Sequence, residues 1–534
     1  MNTLYLKSED ENAVPKAAEI LKNGGLVAIP TETVYGLAAN ALDADAVRNI
    51  FLAKGRPQDN PLIVHISSLE ELPPLVEKVD PRLYDLAEKF WPGPLTVIMK
   101  KSDLVPDEVC AGLPTVAIRM PSHPVARAII KECGLPLAAP SANASGRPSP
   151  TKAEHVLEDL TGKIDAVVDG GSCSVGVEST IVTLATEPPT LLRPGGITPE
   201  ELSAVLGEIT ISHAVFEQLA EGERPQSPGM KYKHYAPKAE VSIIKGTLEQ
   251  FEKFLKGQKE EVCAVCFEGE GKQFDKYIEY GKADNSLTQA RHIFDALREV
   301  DAMGCTRAFV RCPITTGVGL AVYNRLLRSA AFRVIDLDIK IPVYGLTGQT
   351  GAGKSTIGEM LQKKGIYEIN TDILARKVTD SRDIRDRLQR AFGEDIFENG
   401  ELNRHELARR AFASEEKTKI LNSITHPEIV RLTIEEIHKA ENEGFKGAVI
   451  DAPLLFETAM PCLCKKIICV TADENSRLKR IMERDNISEA DAKIRMNAQN
   501  SENYYAEKSD VIINNTNLDE AEKEINQFLT EEKL

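Results

Sequence analysis

Short apolar runs alternate with amphipathic segments along this chain, and the clearest pair flanks a glycine-rich loop. The run Ile341–Leu346 predicts a buried strand, and Ser355–Lys364, closed by Gly365, predicts a helix. Between them, Gly348–Ser355 reads GQTGAGKS and fits G-x-x-x-x-G-K-[ST]. Such a loop turns backbone N–H groups toward phosphates, and the helix N-terminus adds partial positive charge. The pattern therefore predicts a nucleoside triphosphate site.

Further strands in this region end in carboxylates. Asp372 follows the apolar run 367–370, and Asp451 ends the run that begins at residue 448. Both should face the phosphate loop, because the carboxyl ends of parallel strands meet at one edge of a sheet. Beyond them, Arg477, Arg480 and Arg484 share one face of a predicted helix. That face is typical either of a lid that clamps phosphate or of a solvated surface.

Polar loops also follow the predicted strands of the first 205 residues. The strand 26–29 precedes PTETVYGLAAN, and a helix over 44–53 precedes KGRPQDNPL, with Lys54 and Arg56. Three later segments add Arg119, Ser179 and Arg193. Small hydroxyls and cations, without a Cys–His or Asp–His dyad, suit an anionic substrate held by hydrogen bonds rather than covalent catalysis.

The middle of the chain changes character. Residues 206–226 lack periodicity and predict a linker, followed by the polar, aromatic segment 227–240. Residues 241–338 then alternate strand and helix, which predicts a small parallel α/β domain. Cys263 and Cys266 lie in the apolar run 262–267, where buried strand cysteines are favoured over a metal site.

Composition limits the function classes. The chain is 42% apolar and 27% charged, with a net charge of −16. Both parts are acidic, so neither has the broad basic surface of a nucleic-acid binder. The apolar runs are shorter than the roughly 18 residues that a membrane-spanning helix needs. The N-terminus lacks the pattern of a secretory signal, and the ten cysteines lack the spacing of a disulfide framework. We expect a cytoplasmic protein that binds neither membrane nor, stably, nucleic acid.

Five ordered motifs, PTETVYGL, KGRP…NPL, AIRMP, SAN and ESTIV, resemble the YrdC-domain threonylcarbamoyl-AMP synthases over residues 1 to about 205. The family joins ATP, L-threonine and bicarbonate into threonylcarbamoyl-adenylate and pyrophosphate, for the threonylcarbamoyladenosine modification of tRNA. The segment 227–240 and the stretch 317–332 resemble the long form of these synthases, in which the former crosses the active site.

This resemblance implies site residues. Threonine and its carbamate would contact Thr33, His65, Arg119 and Ser179. ATP would contact Lys54, Arg56, Asn60, Thr115, Ser141, Asn143, Ser149, Arg193, Tyr232 and Tyr235, with Lys54 and Arg56 also catalytic. Two alternatives remain open: His65 alternates with Val64 and Ile66 as a histidine at the edge of the core would, and the tyrosines could belong to an extended linker.

Residues 343–534 resemble dephospho-CoA kinase through the phosphate loop, NTDILAR, ITHP, DAPLLFE, the lid arginines, Gln499 and DVIINN. The family transfers the γ-phosphoryl group of ATP to the ribose 3′-hydroxyl of dephospho-CoA. Asp372 matches the family's catalytic aspartate and would orient or deprotonate that hydroxyl, and Lys354, also catalytic, would reach the outer phosphates. Asn370 and Asn403 depart from the family, which usually has Asp at both positions.

Further residues complete the predicted kinase site. ATP would contact Gly348, Gly351, Ala352, Gly353, Lys354, Ser355, Thr356, Arg480 and Arg484, and Mg²⁺ would be held by Ser355 and Asp451. The rival classes are an RNA-binding module for the first half, and another P-loop kinase, of the nucleoside type, for the second.

The sequence thus predicts an α/β chain with three folded parts. They are a YrdC-like domain with a mixed twisted sheet (1–205), a small parallel α/β accessory domain (241–340) and a P-loop kinase domain with a parallel sheet (341–534). Residues 206–240 would form the linker and an active-site lid.

Overall fold

The structure, a computed structural model, describes residues 2–219, 223, 225–228, 235–398 and 401–534. The chain divides into two compact units. One unit comprises residues 1–244 and 261–334, and the other comprises 245–260 and 335–534. Residues 245–260, which the sequence places in the accessory domain, thus group with the P-loop domain. Within the described ranges, the helices are all too short or too polar to cross a membrane.

The N-terminal part of the first unit alternates strands and helices. Its strands are β1 (Leu4–Lys7), β2 (Val27–Ile29), β3 (Gly36–Asn40), β4 (Ile63–His65), β5 (Leu95–Lys100), β6 (Thr115–Arg119), β7 (Leu137–Ala138), β8 (Ala166–Asp169), β9 (Thr180–Thr183), β10 (Thr190–Arg193) and β11 (Thr210–Ile211). Its helices are α1 (Ala13–Lys22), α2 (Ala44–Lys54), α3 (Arg82–Phe90), α4 (Asp107–Cys110), α5 (Pro124–Cys133), α6 (Ala153–Leu160) and α7 (Pro199–Leu206).

These strands form one mixed sheet in the order β1-β8-β2-β3-β7-β4-β6-β5-β9-β10-β11. Strand β5 runs antiparallel to β6 and parallel to β9, while β2 runs parallel to β8 and antiparallel to β3. Alternate residues of β2 enter two different apolar clusters, because successive side chains of a strand point to opposite faces. Helices α1 and α5 pack in one cluster, and α2 and α3 in the other. The predicted mixed sheet is confirmed.

Helix α2 shows how local sequence positions the site. Asp43 accepts hydrogen bonds from the amides of Asp45 and Ala46, which satisfies donors that a helix start leaves free. At the other end Gly55 has φ 62°, a left-handed conformation that glycine adopts without strain and that ends the helix. Lys54 is therefore the last helical residue, and Arg56 follows the turn.

The accessory part contains a small parallel sheet. Its elements are β12 (Glu240–Lys245), α8 (Leu248–Lys256), β13 (Val262–Cys266), β14 (Tyr277–Glu279), α9 (Ser286–Ala302), β15 (Arg307–Arg311), α10 (Val318–Ser329) and β16 (Val334–Asp336), with strand order β14-β13-β15-β12-β16. Strand β13 pairs in parallel with β14 and β15. Cys263 and Cys266 are fully buried in β13, which confirms their interpretation as strand cysteines.

The P-loop domain has the predicted parallel sheet, in the order β18-β21-β17-β22-β23. Its elements are β17 (Val343–Thr347), α11 (Lys354–Lys363), β18 (Ile366–Asn370), α12 (Thr371–Asp380), α13 (Arg382–Phe392), β19 (Phe397–Glu398), β20 (Glu401–Leu402), α14 (Arg404–Ala411), α15 (Glu415–Asn442), β21 (Gly447–Asp451), β22 (Lys466–Thr471), α16 (Glu474–Asp485), α17 (Glu489–Asn497), α18 (Glu502–Ala506), β23 (Val511–Asn514) and α19 (Leu518–Glu532). The carboxyl ends of β17, β18 and β21 meet at one edge, where the predicted site lies.

Candidate active sites

A cavity in the first unit collects most of the residues that the sequence singles out there. The residues predicted to bind ATP or threonine that line it are Thr33, Lys54, Arg56, His65, Arg119, Ser141, Asn143, Ser179, Arg193 and Tyr235. They come from segments more than 200 residues apart along the chain, and the ends of β4, β6 and β10 and of helix α2 bring them together.

The remaining predicted residues of this site are not found to line the cavity themselves. Asn60, Thr115 and Ser149 are not among the residues that line the cavity. Thr115 begins β6, whereas Arg119 ends it, so the strand holds these two side chains far apart. Ser149 is buried, and its hydroxyl donates a hydrogen bond to Glu178, which lines the cavity. Tyr232 lies outside the described residues.

Three cations of the cavity form its predicted phosphate-binding part. Lys54 Nζ donates hydrogen bonds to the carbonyl oxygens of Ser141 and Asn143, and Arg56 donates to those of Asn60 and Pro61. Burial lowers the pKa of Lys54 well below its usual value, with a further contribution from Arg56. Burial also lowers the pKa of Arg56 and Arg193 to about 10. Buried cations without a matching number of anions would be stabilised by a polyanionic ligand.

A second group of residues surrounds Arg119. Its guanidinium donates to Glu32 Oε1 at 2.6 Å and to Thr33 Oγ1 at 2.9 Å. His65 ends the neighbouring strand β4, and its Nδ1 lies 3.2 Å from the carbonyl oxygen of Ile63. Burial, with the adjacent Arg119 charge, lowers the pKa of His65 to about 3. The imidazole is therefore neutral: one ring nitrogen carries a hydrogen and can donate to the carbonyl oxygen of Ile63 or Leu137, and the other ring nitrogen is an acceptor.

Two buried carboxylates in this region were missed by the sequence reasoning. Glu178 lines the cavity, and Glu32 pairs with Arg119. Burial favours their neutral forms, but the nearby arginines outweigh it, so the pKa of each carboxyl is lowered. Both residues lie inside quoted motifs, PTETVYGL and ESTIV, directly beside residues that were predicted. Their position next to Thr33 and Ser179 was the available signal.

Tyr235 is buried and lines the cavity. Its ring lies 5.1 Å from that of Phe294 in α9, and its backbone has φ 62°, which is uncommon for a residue with a side chain. Pro228, from the same segment, also lines the cavity and accepts a hydrogen bond from Arg193 at 3.4 Å. The ends of the segment 227–240 thus contact both the accessory domain and the cavity, whereas an extended surface linker would leave Tyr235 exposed.

The phosphate loop of the second unit has the predicted strand–loop–helix form. Gly348, Gly351 and Gly353 all have positive φ, and a side chain at Gly348 would collide with the Val470 carbonyl oxygen. Lys354 begins α11, and its Nζ donates to the Gly348 carbonyl oxygen at 3.2 Å. Asn515 Nδ2 and Arg480 both donate to the Ala352 carbonyl oxygen, and thereby fix the loop from β23 and α16.

The two predicted carboxylates lie near Lys354. Burial lowers the pKa of Lys354, and the charges of Asp451 and Asp372 oppose that shift. Asp372 is exposed in the first turn of α12, and Asp451 is buried at the end of β21. Asn370, the departure from the family pattern, caps α12: its side-chain oxygen accepts from the amides of Asp372 and Ile373. Asn403 caps α14 in the same manner. Asn is a preferred residue at this position.

The predicted Mg²⁺ ligands fit a cation. Asp451 Oδ1 is buried without a hydrogen-bond partner in the described part of the chain. Burial raises the pKa of Asp451, so its ionised form would gain from a bound cation. Ser355 lies in the first turn of α11. Mg²⁺ commonly takes only one or two protein ligands and fills its octahedron with phosphate oxygens and water. Clusters of three or more His, Cys, Asp or Glu side chains suited to a metal are absent from the described residues.

The lid arginines divide into two groups. Arg477 donates to Gln349 and to the Thr350 carbonyl oxygen, and Arg480 contacts the phosphate loop as described. Arg484 instead pairs with Asp485 at 2.8 Å on the exposed face of α16. Arg480 is thus placed beside the loop that would cradle phosphates, whereas Arg484 would have to leave Asp485 to reach them.

These two sites define a class of protein: a chain with two transferase centres, one in each unit. Family models match both. The Sua5/YciO/YrdC model, described as Telomere recombination, matches residues 19–195, and the model Threonylcarbamoyl-AMP synthase, C-terminal domain, matches residues 197–331. The model Dephospho-CoA kinase matches residues 342–520.

Individual relatives agree with the family models. The threonylcarbamoyl-AMP synthase of Pyrococcus abyssi (strain GE5 / Orsay) is 46% identical over 323 residues, which cover 60% of this chain and 94% of that protein. The dephospho-CoA kinase of Listeria innocua is 37% identical over 188 residues, or 35% of this chain and 94% of that protein. The crystal structure of P. abyssi Sua5 complexed with L-threonine matches with a TM-score of 0.59 at 43% identity, covering 63% of this chain and 99% of that one. The chain therefore belongs to the threonylcarbamoyl-AMP synthase family in its N-terminal part and to the dephospho-CoA kinase family in its C-terminal part.

Proposed function

We propose that this chain is a bifunctional enzyme. Its N-terminal part condenses the amine of L-threonine with bicarbonate, with loss of water, and joins the resulting carbamate to ATP to give threonylcarbamoyl-adenylate and pyrophosphate. Its C-terminal part phosphorylates the ribose 3′-hydroxyl of dephospho-CoA to give CoA and ADP. The observation that supports the first activity most strongly is that Lys54, Arg56, Arg193, Arg119 and His65 line one cavity.

The synthase reaction needs alignment and charge neutralisation. A carbamate oxygen attacks the α-phosphorus of ATP, the bond to the bridging oxygen breaks, and pyrophosphate leaves with the electron pair. Lys54, Arg56 and Arg193 would neutralise the phosphates, and Arg119 would pair with the threonine carboxylate. The neutral His65 has one ring nitrogen that accepts hydrogen bonds, which suits the N–H groups of threonine or its carbamate. This chemistry requires no enzyme nucleophile.

The kinase reaction uses the P-loop side chains in distinct roles. Lys354 would neutralise the outer phosphates from its place beside Asp451 and Asp372. Asp372 would orient the acceptor hydroxyl and accept its proton as the γ-phosphoryl group is transferred. Ser355 and Asp451 would hold Mg²⁺, which when bound would supply charge neutralisation for the phosphates.

Product analysis tests the synthase. The full chain is given ATP with L-threonine and labelled bicarbonate, and the adenylate and pyrophosphate are identified by mass spectrometry. Matched reactions omit threonine or bicarbonate. We expect the adenylate only in the complete mixture. The rival class, an RNA-binding module, would instead show salt-dependent RNA binding without threonine-dependent consumption of ATP.

An acceptor panel tests the kinase. The same preparation receives ATP and Mg²⁺ with dephospho-CoA, or with each of the common nucleosides and nucleoside monophosphates. We expect CoA from dephospho-CoA and little transfer to the others. Preferred phosphorylation of a nucleoside would support the rival P-loop kinase.

We propose that the protein acts in the cytoplasm and that a tRNA-modifying enzyme consumes the adenylate. Stable tRNA binding by this chain is not expected, because both parts carry a net negative charge.

A further inference from the structure

The accessory domain contributes a buried arginine to the surroundings of the synthase cavity. Arg325 lies in α10, is fully buried, and donates from Nε to Glu178 Oε2 at 2.7 Å. Its Nη1 donates to the Pro194 carbonyl oxygen at 2.9 Å, and its Nη2 to the Glu178 carbonyl oxygen at 3.2 Å. One guanidinium thus holds the side chain of Glu178 and the backbone of two loops.

Those two loops carry predicted site residues and cross closely. Glu178 precedes Ser179, and Pro194 follows Arg193. A side chain added at Gly195 would meet the Glu178 carbonyl oxygen at 2.6 Å, which shows how tightly the loops are packed. Arg193 donates across the crossing to the carbonyl oxygen of Ser179 at 3.1 Å and to its hydroxyl at 3.2 Å. A displacement of either loop would therefore move Ser179 and Arg193 together.

Glu178 also connects Arg325 to Ser149. Its Oε1 accepts a hydrogen bond from Ser149, so the carboxylate is bonded on both oxygens. The pKa of Glu178 is lowered because Arg325 and Arg193 outweigh the effect of burial. A buried carboxylate that lost Arg325 would face a large desolvation cost and would reorient or take up a proton.

We propose that Arg325 is a positioning residue of the synthase site, acting through Glu178 to align Ser179 and Arg193. Helix α10 is then a structural part of the catalytic centre, and the accessory domain does more than carry the lid. This inference rests on the proposed synthase activity. The same helix also donates from Asn324 and Arg328 to the carbonyl oxygens of Val215 and Ala214, and so fixes the start of the linker as well.

A matched arginine provides the control. Arg298, in α9, is also buried and also joins the accessory domain to the N-terminal domain, by hydrogen bonds to Asp159 at 3.1 Å and to the Pro148 carbonyl oxygen at 2.6 Å. Neither partner lines the cavity or is bonded to Glu178. Pro148 precedes Ser149, and Asp159 also accepts from the Ala144 amide, so these contacts are one residue further from the cavity than those of Arg325. Loss of Arg298 therefore removes a comparable contact between the two domains without releasing Glu178.

The test is a double-mutant cycle in the full chain. Arg325→Met, Glu178→Gln, the double variant, Arg325→Lys and Arg298→Met are assayed for adenylate formation, with kcat and the KM for ATP and threonine determined separately. We expect Arg325→Met and Glu178→Gln each to lower kcat/KM by about 100-fold, the order expected when reacting groups shift by about 1 Å. The double variant should lose at most about threefold more than the worse single variant, because both changes remove one interaction.

The other variants separate positioning from folding. Arg325→Lys keeps the charge but loses the forked contacts, and should fall between wild type and Arg325→Met. Arg298→Met should lower the midpoint of thermal unfolding yet change kcat/KM by less than about threefold. Multiplicative losses in the double variant, or an equal kinetic loss in Arg298→Met, would overturn the proposal. Should Arg325→Met not fold, Arg325→Lys and Glu178→Gln with their double variant form the same cycle. An inactive wild-type chain would instead refute the synthase activity itself.

Discussion

Lys54 Nζ lies 2.6 Å from the carbonyl oxygen of Asn143 and donates a second hydrogen bond to that of Ser141. These bonds join the end of α2 to the loop after β7, so Lys54 both supplies charge to the cavity and fixes the loop opposite. Loss of its side chain therefore has a kinetic and a structural effect.

Replacement of Lys54 by Ala should lower kcat/KM of the synthase reaction by about 30- to 150-fold, or about 2–3 kcal/mol, the worth of a charge-assisted contact to phosphate. Arg56→Ala should behave similarly. Arg48→Ala is the control, since Arg48 lies on the same helix but pairs with Asp45 and Glu108 on the surface. Steady-state kinetics with varied ATP provide the measurement. Wild-type turnover in both Lys54→Ala and Arg56→Ala would refute the assignment of these cations to phosphate.

The sequence could predict those site residues that lie at the ends of strands and helices. Arg119 ends β6, Asp451 ends β21, and Lys54 ends α2, where a glycine stops the helix. Periodicity locates such ends, and parallel strands bring their carboxyl ends together. The kinase loop was predictable because its whole chemistry lies in eight consecutive residues.

Partnerships between distant residues could not be predicted in the same way. Arg325 and Glu178 are 147 residues apart in the sequence. The residues around each of them give no sign that the two side chains form an ion pair. The role of Asn370 was also hidden, because an Asn before a helix serves equally as a cap or as a changed ligand. Only packing between elements decides such cases.

The neutral state of His65 predicts a dependence of stability on pH. Its pKa is about 3 in the folded chain, against 6.5 as its ordinary value, so the unfolded chain binds the proton more readily. The contribution to stability is therefore complete above pH 6.5 and is lost as the pH falls toward 3. Between pH 7 and 4.5 we expect this one group to remove about 2–3 kcal/mol.

Comparison with His65→Gln isolates that contribution. The variant lacks the titrating group, so its loss of stability between pH 7 and 4.5 should be smaller than that of wild type by the same 2–3 kcal/mol. Urea unfolding followed by tryptophan fluorescence is suitable, because the single tryptophan, Trp91, is buried in the first unit. Parallel pH profiles for the two proteins would show that His65 is not held neutral.

The kinase should depend strongly on Asp372. Asp372→Asn should leave ATP binding nearly intact and slow phosphoryl transfer by about 100-fold or more, the usual worth of a positioned general base. The side chain is exposed in the first turn of α12, so the fold should tolerate the change. Asp380, at the last residue of that helix, offers the control Asp380→Asn. Equal losses in nucleotide affinity and rate would identify Asp372 as a metal ligand.

Asn370→Asp restores the residue usual in the family. The carboxylate can cap α12 as the amide does, so thermal stability should change by less than about 0.5 kcal/mol. Its added charge lies next to Asp451 in the strand register and should lower the Mg²⁺ concentration needed for half-maximal rate. The measurement is the rate of phosphoryl transfer across a Mg²⁺ titration. Asn403→Asp, a change at a second helix cap, is the control. An unchanged Mg²⁺ requirement would place residue 370 outside the influence of the metal.

The boundary of the kinase domain leads to the last prediction. The sequence predicts that a cut between Lys340 and Ile341 leaves both activities, and that an exposed strand edge lowers the stability of the kinase. Yet the second unit includes residues before that point: Gln250 in α8 donates to the Leu337 carbonyl oxygen at 2.6 Å, and Gly257 lies against Ala459. The segment 335–340 is in turn bonded to α15, where His438 Nε2 lies 2.9 Å from the Asp336 carbonyl oxygen.

A chain of residues 341–534 should therefore keep kinase activity at 25 °C but inactivate at a lower temperature than the full chain. Loss of the contacts from α8 and residues 335–340 should remove about 2 kcal/mol, which for a domain of this size lowers the midpoint by about 4–8 °C. A chain of residues 335–534 regains the contacts to α15 but not those of α8, so its midpoint should fall between the two. Residual activity after brief heating at graded temperatures measures all three. Equal midpoints would show that the P-loop domain is independent of the segments that pack with it.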